Sequence, residues 1–173
     1  CHMPRHVAFL RGVSPQNLKM ADLRRCLERS GFARVRTVLS SGNVAFDADR
    51  EPACKLECEI ESAMTRHLER SFYTIVRPTG ALIALLETNP FSDYGFPPHA
   101  KRVVSFLRQQ RAPRVALPLT EGTATVVHQI GTEIFTAYLP SPAGPVFMKL
   151  IERAYGHEVT TRTWATLARC AQA

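Results

Sequence analysis

The chain has 173 residues, of which 45% are hydrophobic and 21% charged, with a formal net charge of +7 and a mean hydropathy of −0.11. These are values of a folded globular domain and exclude disorder, collagen and a coiled coil. No apolar run approaches the roughly 18 residues of a membrane helix, and the N-terminus lacks the basic, apolar and small-residue order of a secretion signal, so a cytosolic protein is expected.

Cys1-His2 ahead of Met3 reads as a cloning remnant and is set aside. Residues 7–10 are a short apolar run ending at Arg11-Gly12, the pattern of a buried strand, and a loop follows through Ser14-Pro15-Gln16-Asn17. Met20, Leu23, Cys26 and Leu27 recur at spacings of three and four up to Gly31, which predicts an amphipathic helix over 20–30. Residues 35–39 and 43–48 are β-rich and are separated by Ser40-Ser41-Gly42, the composition of a hairpin turn. Asp49-Arg50-Glu51-Pro52 predicts the start of a second helix that runs to about Arg70, with Asp49 as its cap, and residues 73–76 form another strand before Pro78. The order β-α-β-β-α-β over residues 5–78 is that of a split βαβ, or ferredoxin-like, unit.

The second half partly repeats that order. A helix over 80–88 stops at Asn89-Pro90, because the residue before proline is pushed out of the helical region. The loop 90–99 is rich in aromatic residues and proline, residues 103–107 form a strand, and 110–122 read as irregular. Strands over 124–129 and 134–139 turn at Gly131-Thr132, a helix covers 147–155 before Gly156, and a last helix begins at Trp164 with Thr160 or Thr161 as its N-cap. The fold class expected is therefore α+β. Two ferredoxin-like halves, 4–78 and 79–173, pack as one body, the second half less complete and closed by a C-terminal helix.

Hydrolase, P-loop, dinucleotide and metalloprotease spacings are absent. Asp47-x-Asp49-x-Glu51 resembles the start of a calcium loop but lacks its glycine and its distal glutamate, and helix capping accounts for these acids. Cys26, Cys54, Cys58 and Cys170 fall in no C-x-x-C pair and are read as reduced, packed thiols; no metal and no cofactor is expected. The 22 basic residues include only four lysines, Lys19, Lys55, Lys101 and Lys149. They concentrate in residues 23–36 (Arg24, Arg25, Arg29, Arg34, Arg36) and 100–114 (Lys101, Arg102, Arg108, Arg111, Arg114), which fits phosphate or carboxylate recognition. Base stacking of the RRM kind has little support, since the first and third strands offer only Phe9 and Phe46; contact with a nucleic-acid backbone remains open.

Three features at element ends are candidate sites. Arg11-Gly12-Val13-Ser14 places an arginine where the backbone turns sharply, for an anion or a structural ion pair. Ser41-Gly42-Asn43 gathers polar groups in a turn, and plain turn chemistry explains it too. Arg162, expected in the first turn of the last helix, would receive an anion or pair with a carboxylate, with Trp164 as a core anchor.

The same segments resemble the bacterial domain-of-unknown-function 1697 family. They stand here as Val7-Ala-Phe-Leu-Arg-Gly-Val13, Lys19-Met20-Ala-Asp-Leu23, Ser41-Gly-Asn-Val-Ala-Phe46, Asn89-Pro-Phe91 and Thr160-Thr-Arg-Thr-Trp-Ala-Thr166. The resemblance implies a cytosolic α+β protein with a duplicated ferredoxin-like plan and implies no activity. The chain departs from the family's pattern at Ser14-Pro15-Gln16, at Gly144-Pro145 and at Thr163. The function expected is binding of an anionic ligand, a nucleotide or nucleic-acid backbone, near Arg11, Gly12, Ser14, Ser41, Gly42, Asn43, Arg162 and Trp164. The alternatives are an enzyme acting on a small phosphorylated or carboxylated metabolite, with Ser41 or a histidine moving a proton, and a structural or oligomerisation module built on the aromatic segment 91–96. No membrane partner is expected, and oligomeric state and catalytic residues stay open.

Overall fold

The computed structural model describes residues 3–49, 51–142, 144 and 146–173, so expectations that fall on Cys1, His2, Arg50 and Pro145 lie outside the described residues. The protein is a mixed α/β fold with two antiparallel sheets and five α-helices among the described residues. It divides into two units, one running up to Leu86 and including Leu167–Ala173, the other Glu87–Thr166.

In the first unit the elements are β1 (Arg5–Leu10), α1 (Met20–Arg29), β2 (Ala33–Val38), β3 (Asn43–Asp47), α2 (Ala53–Leu68), β4 (Thr74–Pro78) and α3 (Thr79–Thr88, which crosses the division at Leu86). The strands order as β2-β3-β1-β4, every neighbour antiparallel. The period-2 alternation of β1 sends Ala8 and Leu10 to the face that also receives Val44, Phe46 and Val76. The 3.6 period of the helices brings Leu23, Cys26 and Leu27 of α1 and Leu56, Ile60 and Met64 of α2 into the same cluster. Val7, Phe9 and Ile75, on the opposite face, are equally buried, which is why β1 reads as a continuous apolar run rather than an alternating one. Glu57 of α2 is buried, and its carboxylate accepts the Val76 N–H of edge strand β4 at 2.9 Å.

In the second unit β5 (Lys101–Phe106), β6 (Leu119–Glu121), β7 (Ala124–Ile130), β8 (Glu133–Tyr138) and β9 (Thr160–Thr163) order as β6-β7-β8-β5-β9, with α4 (Val146–Tyr155) between β8 and β9 in the chain. Leu150, Ile151 and Tyr155 of α4 pack with Leu107, Val126 and Ile134. The Tyr155 hydroxyl donates to Gln129 Oε1 at 2.8 Å, and burial pushes its phenol up to about 12. Helix α5 is Trp164–Ala171.

Several expectations are corrected. Thr160 and Thr161 do not cap the last helix and Arg162 is not in its first turn. All three lie in β9, paired with β5 through Val104↔Arg162 and Ser105↔Thr161, because a Thr-rich, β-branched run fits a pleated surface once a partner strand is present. The cap is Thr163, whose Oγ1 accepts the Thr166 N–H at 3.1 Å. Residues 119–121, expected to be irregular, form the short edge strand β6. The second helix starts at Ala53 with no side-chain cap, so Asp49 does not cap it. Asp47 is no capping or dipole group either: it is buried in β3, where Oδ1 accepts from Arg5 Nη1 at 2.8 Å and Oδ2 from Arg34 Nε at 2.5 Å. Arg5 also donates to the Ala173 carbonyl at 2.8 Å and the Arg34 carbonyl at 3.1 Å, tying β1, β2, β3 and the chain end together.

The Arg34 hydrogen bond, followed by that of Arg5, holds the Asp47 carboxyl below its usual range. The ion pair therefore stabilises the fold fully above the ordinary carboxyl pKa of about 3.9, and the contribution is lost as pH falls through the lower folded value. Asp47→Asn is expected to lower stability by about 2 kcal/mol at neutral pH in urea unfolding followed by circular dichroism. The wild-type and variant stabilities should converge as pH falls below about 4; a gap that persists at low pH would assign the loss to packing.

Candidate functional site

Two of the three candidate segments meet at the end of β1. The Leu10 N–H donates to the Gly42 carbonyl at 2.8 Å, and the Arg11 N–H to the Tyr73 carbonyl at 2.8 Å. Gly42 has φ +87, and a Cβ built there would lie 2.9 Å from Val13 Cβ and 3.1 Å from Leu10 Cβ. Only glycine satisfies both the conformation and the space. Asn43 is fully buried and its Nδ2 donates to the Val38 carbonyl and to Ser41 Oγ, both at 3.0 Å. In the facing loop Asn17 accepts the Ser14 N–H at 2.9 Å and donates to the Gly12 carbonyl at 2.7 Å, which closes residues 12–17 into a compact turn. Arg11, Gly12, Ser14, Ser41, Gly42 and Asn43 are thus brought together in two loops that meet where Gly42 approaches Leu10 and Val13.

Arg162 and Trp164 belong to the second unit. Arg162 is buried in β9, and its Nη1 donates to Thr160 Oγ1 and to the Thr161 carbonyl, both at 2.9 Å. Trp164 packs edge to face on Phe91 (5.3 Å between centroids), which meets Phe135 in the same way at 5.7 Å. Trp164 is an aromatic anchor in this cluster.

In the second basic run Arg102 and Arg111 use their side chains within the second unit. Arg102 stands over the Phe91 ring at 6.0 Å. Arg111 donates to the Tyr155 carbonyl at 2.5 Å through Nη2, and the Arg114 N–H to the Ala154 carbonyl at 2.7 Å, so both bind the carbonyls that α4 leaves open at its C-terminus.

The first run behaves differently. Arg24 pairs with Glu28, Arg25 with Asp22 and Arg34 with Asp47. Helical spacing puts Asp22, Arg25 and Arg29 on one side of α1, where with Cys26, His67 and Leu68 they line a cavity of about 270 Å³. A second cavity of about 300 Å³ shares Asp22 and Leu68 and continues along residues 15–19 to Arg70. Arg70 Nη1 donates to the Asn17 carbonyl at 2.6 Å, which ties the end of α2 to the same loop that Asn17 closes. The two hollows form one groove in the first unit. It is lined by Lys19, Arg25, Arg29 and Arg70, with Asp22, held by Arg25 at 2.5 Å, as its acid. Burial pushes the Cys26 thiol up, and the residue is buried in the core cluster. His6, deeper in the sheet, stacks on Phe46, and burial pushes its imidazole below the ordinary value.

The sequence pointed to Arg25 and Arg29 as part of a basic run but gave no reason to join them with Arg70, 41 to 45 residues further on. The available signal was the shared 3.6 period of Asp22, Arg25 and Arg29.

Comparison with known proteins gives a family and a fold. The sequence profile of a family described as protein of unknown function (DUF1697) matches residues 3–135. No curated protein matches the chain. A conserved bacterial protein from Streptococcus pneumoniae, of solved structure, is similar with a TM-score of 0.70 and 18% identity over 98% of each chain. At that identity the likeness is one of fold.

Gly42→Ala adds left-handed strain to a contact shorter than carbon atoms tolerate, and is expected to cost about 2–4 kcal/mol in urea unfolding. Val13→Ala in the same chain removes only the Cγ2 contact and should recover little of that loss, since Val13 Cβ and Leu10 Cβ stay in place; no difference between Gly42→Ala and wild type would mean the two loops are not locked together.

Proposed function

The chain belongs to the DUF1697 family of proteins of unknown function, and from that premise we propose that it is a binding domain for an anionic ligand, a nucleotide or the backbone of a nucleic acid. The groove between α1 and the end of α2 receives the anion. The observation that carries this reading is the charge balance there: Asp22 offsets Arg25, while Lys19, Arg29 and Arg70 face the same groove with no ion pair among the described residues. Such a site attracts phosphate by charge and by the bidentate geometry of guanidinium. Among the described residues no Phe, Tyr or Trp lines either hollow and His67 supplies the one ring, which favours recognition of backbone over bases. The interlocked Arg11–Ser14 and Ser41–Asn43 segments act as scaffold, since Gly12 and Ser14 hold Asn17 and with it one wall. Arg162 and Trp164 organise their own strand and aromatic cluster.

We read both units as ferredoxin-like: β4-β1-β3-β2 in the first is matched by β9-β5-β8-β7 in the second, where β6 and irregular chain replace the first helix. The free thiols of Cys26, Cys54 and Cys58 support a reducing, cytosolic setting.

Fluorescence anisotropy with labelled mixed-sequence oligonucleotides should give a dissociation constant of roughly 1–100 μM at low salt, weakening steeply as salt rises. Lys19→Ala, Arg29→Ala and Arg70→Ala are each expected to reduce the log–log salt slope by about one, independent of base sequence. Arg153→Ala, on α4, should leave it unchanged. No oligonucleotide binding at low salt, together with no thermal shift in pyrophosphate, overturns the proposal.

A further inference from the structure

The cysteines of the described residues fall into two classes by burial. Cys26 and Cys170 are buried, whereas Cys54 and Cys58 are both exposed on α2. These two stand four residues apart in one uninterrupted helix, Ala53–Leu68, so they project from one face with Cβ atoms about 5–6 Å apart. A disulfide needs Cβ atoms about 3.5–4.5 Å apart, which this spacing denies unless the helix opens. Opening is resisted here, because Leu56 and Ile60 are buried and the Glu57 carboxylate between the two cysteines accepts the Val76 N–H. The pair is therefore held as an open dithiol.

A single soft atom between the sulfurs spans what a direct bond does not. Two bonds of about 2.3 Å, the length of a zinc–thiolate bond, allow sulfurs up to about 4.6 Å apart, within reach of two exposed side chains turning about χ1. Among the described residues no group of three or more His, Cys, Asp or Glu is placed to hold a metal. Ions that require three or four protein ligands are thus poorly served, while soft centres satisfied by two thiolates are well served. We propose that Cys54 and Cys58 form a bidentate site for a thiophilic centre of this two-thiolate class, represented by a trivalent organoarsenical. In the reaction with phenylarsine oxide, the arsenic–oxygen bond gives way to two arsenic–sulfur bonds, both thiol protons leave with the oxygen as water, and no electron is transferred. The site is independent of the anion-binding groove.

The test uses the full chain carrying Cys1→Ser, so that only the four described thiols respond. After phenylarsine oxide and excess glutathione, intact mass should show one arsenical per chain, with Cys54 and Cys58 both protected from iodoacetamide. Cys54→Ser and Cys58→Ser should each weaken retention roughly hundredfold, as loss of an intramolecular second ligand predicts. Circular dichroism of each variant separates that loss from unfolding. Retention unchanged in both variants, an adduct that glutathione removes from the parent, or rapid closure of a Cys54–Cys58 disulfide by diamide in the folded protein would each overturn the proposal.

Discussion

Where β1 ends, the backbone of Leu10 passes so close to Gly42 that no Cβ fits between them and Val13. That one close approach sets the geometry of much else in the first unit. It fixes the point at which the central strand leaves the sheet, hence the path of residues 11–18, hence the position of Asn17. Through Asn17 it fixes the wall onto which Arg70 is tied. The Ser-Gly-Asn segment therefore has a mechanical role: glycine for space and sign of φ, and a buried asparagine to satisfy the turn's own polar groups.

Arginine serves two purposes that composition does not separate. Arg5 and Arg34 converge on buried Asp47, and Arg111 binds the last carbonyl of α4. These are fixed hydrogen bonds in partly dry surroundings, where an unpaired partner would be costly. Arg24–Glu28 and Arg25–Asp22 are exposed pairs along one helix, each worth only a few tenths of a kcal/mol and easily exchanged for another anion. An arginine-rich chain thus spends part of its charge on architecture. What remains for a ligand is better judged by which cations share a hollow than by the net charge of +7.

The first 78 residues were legible because their signals are local and agree with one another: apolar runs of strand length, helices with a clear 3.6 period, and glycine-marked turns. Thr160–Thr163 reads as the start of a helix because threonine suits both a helix cap and a strand, and the choice is made by β5, nearly sixty residues earlier. Edge strand β6, three residues long, has no period to detect. Asp47 reads as a helix-start acid because it lies in an acidic stretch, whereas its partners Arg5 and Arg34 come from other strands. The groove was half legible. Arg25 and Arg29 stood out as a run, but Arg70 joins them only through the packing of α1 against α2.

The shape of the groove bears on what kind of anion would suit it. Two open hollows of about 270 and 300 Å³ are at the small end of pockets that enclose a drug-sized ligand, so affinity from burial is modest. Charge acts over a longer reach. Lys19 and Arg29 are ten residues apart along α1, about 15 Å at the rise of a helix, and four nucleotides of a strand cover about the same length. A ligand with one phosphate meets one or two of these cations at a time. A chain of phosphates meets them together, each contact releasing a counterion, so the same weak local attractions sum without any single deep pocket. If this groove binds, a polyanion gains more from it than a mononucleotide does, because its selectivity rests on the spacing of charges along a helix rather than on enclosure.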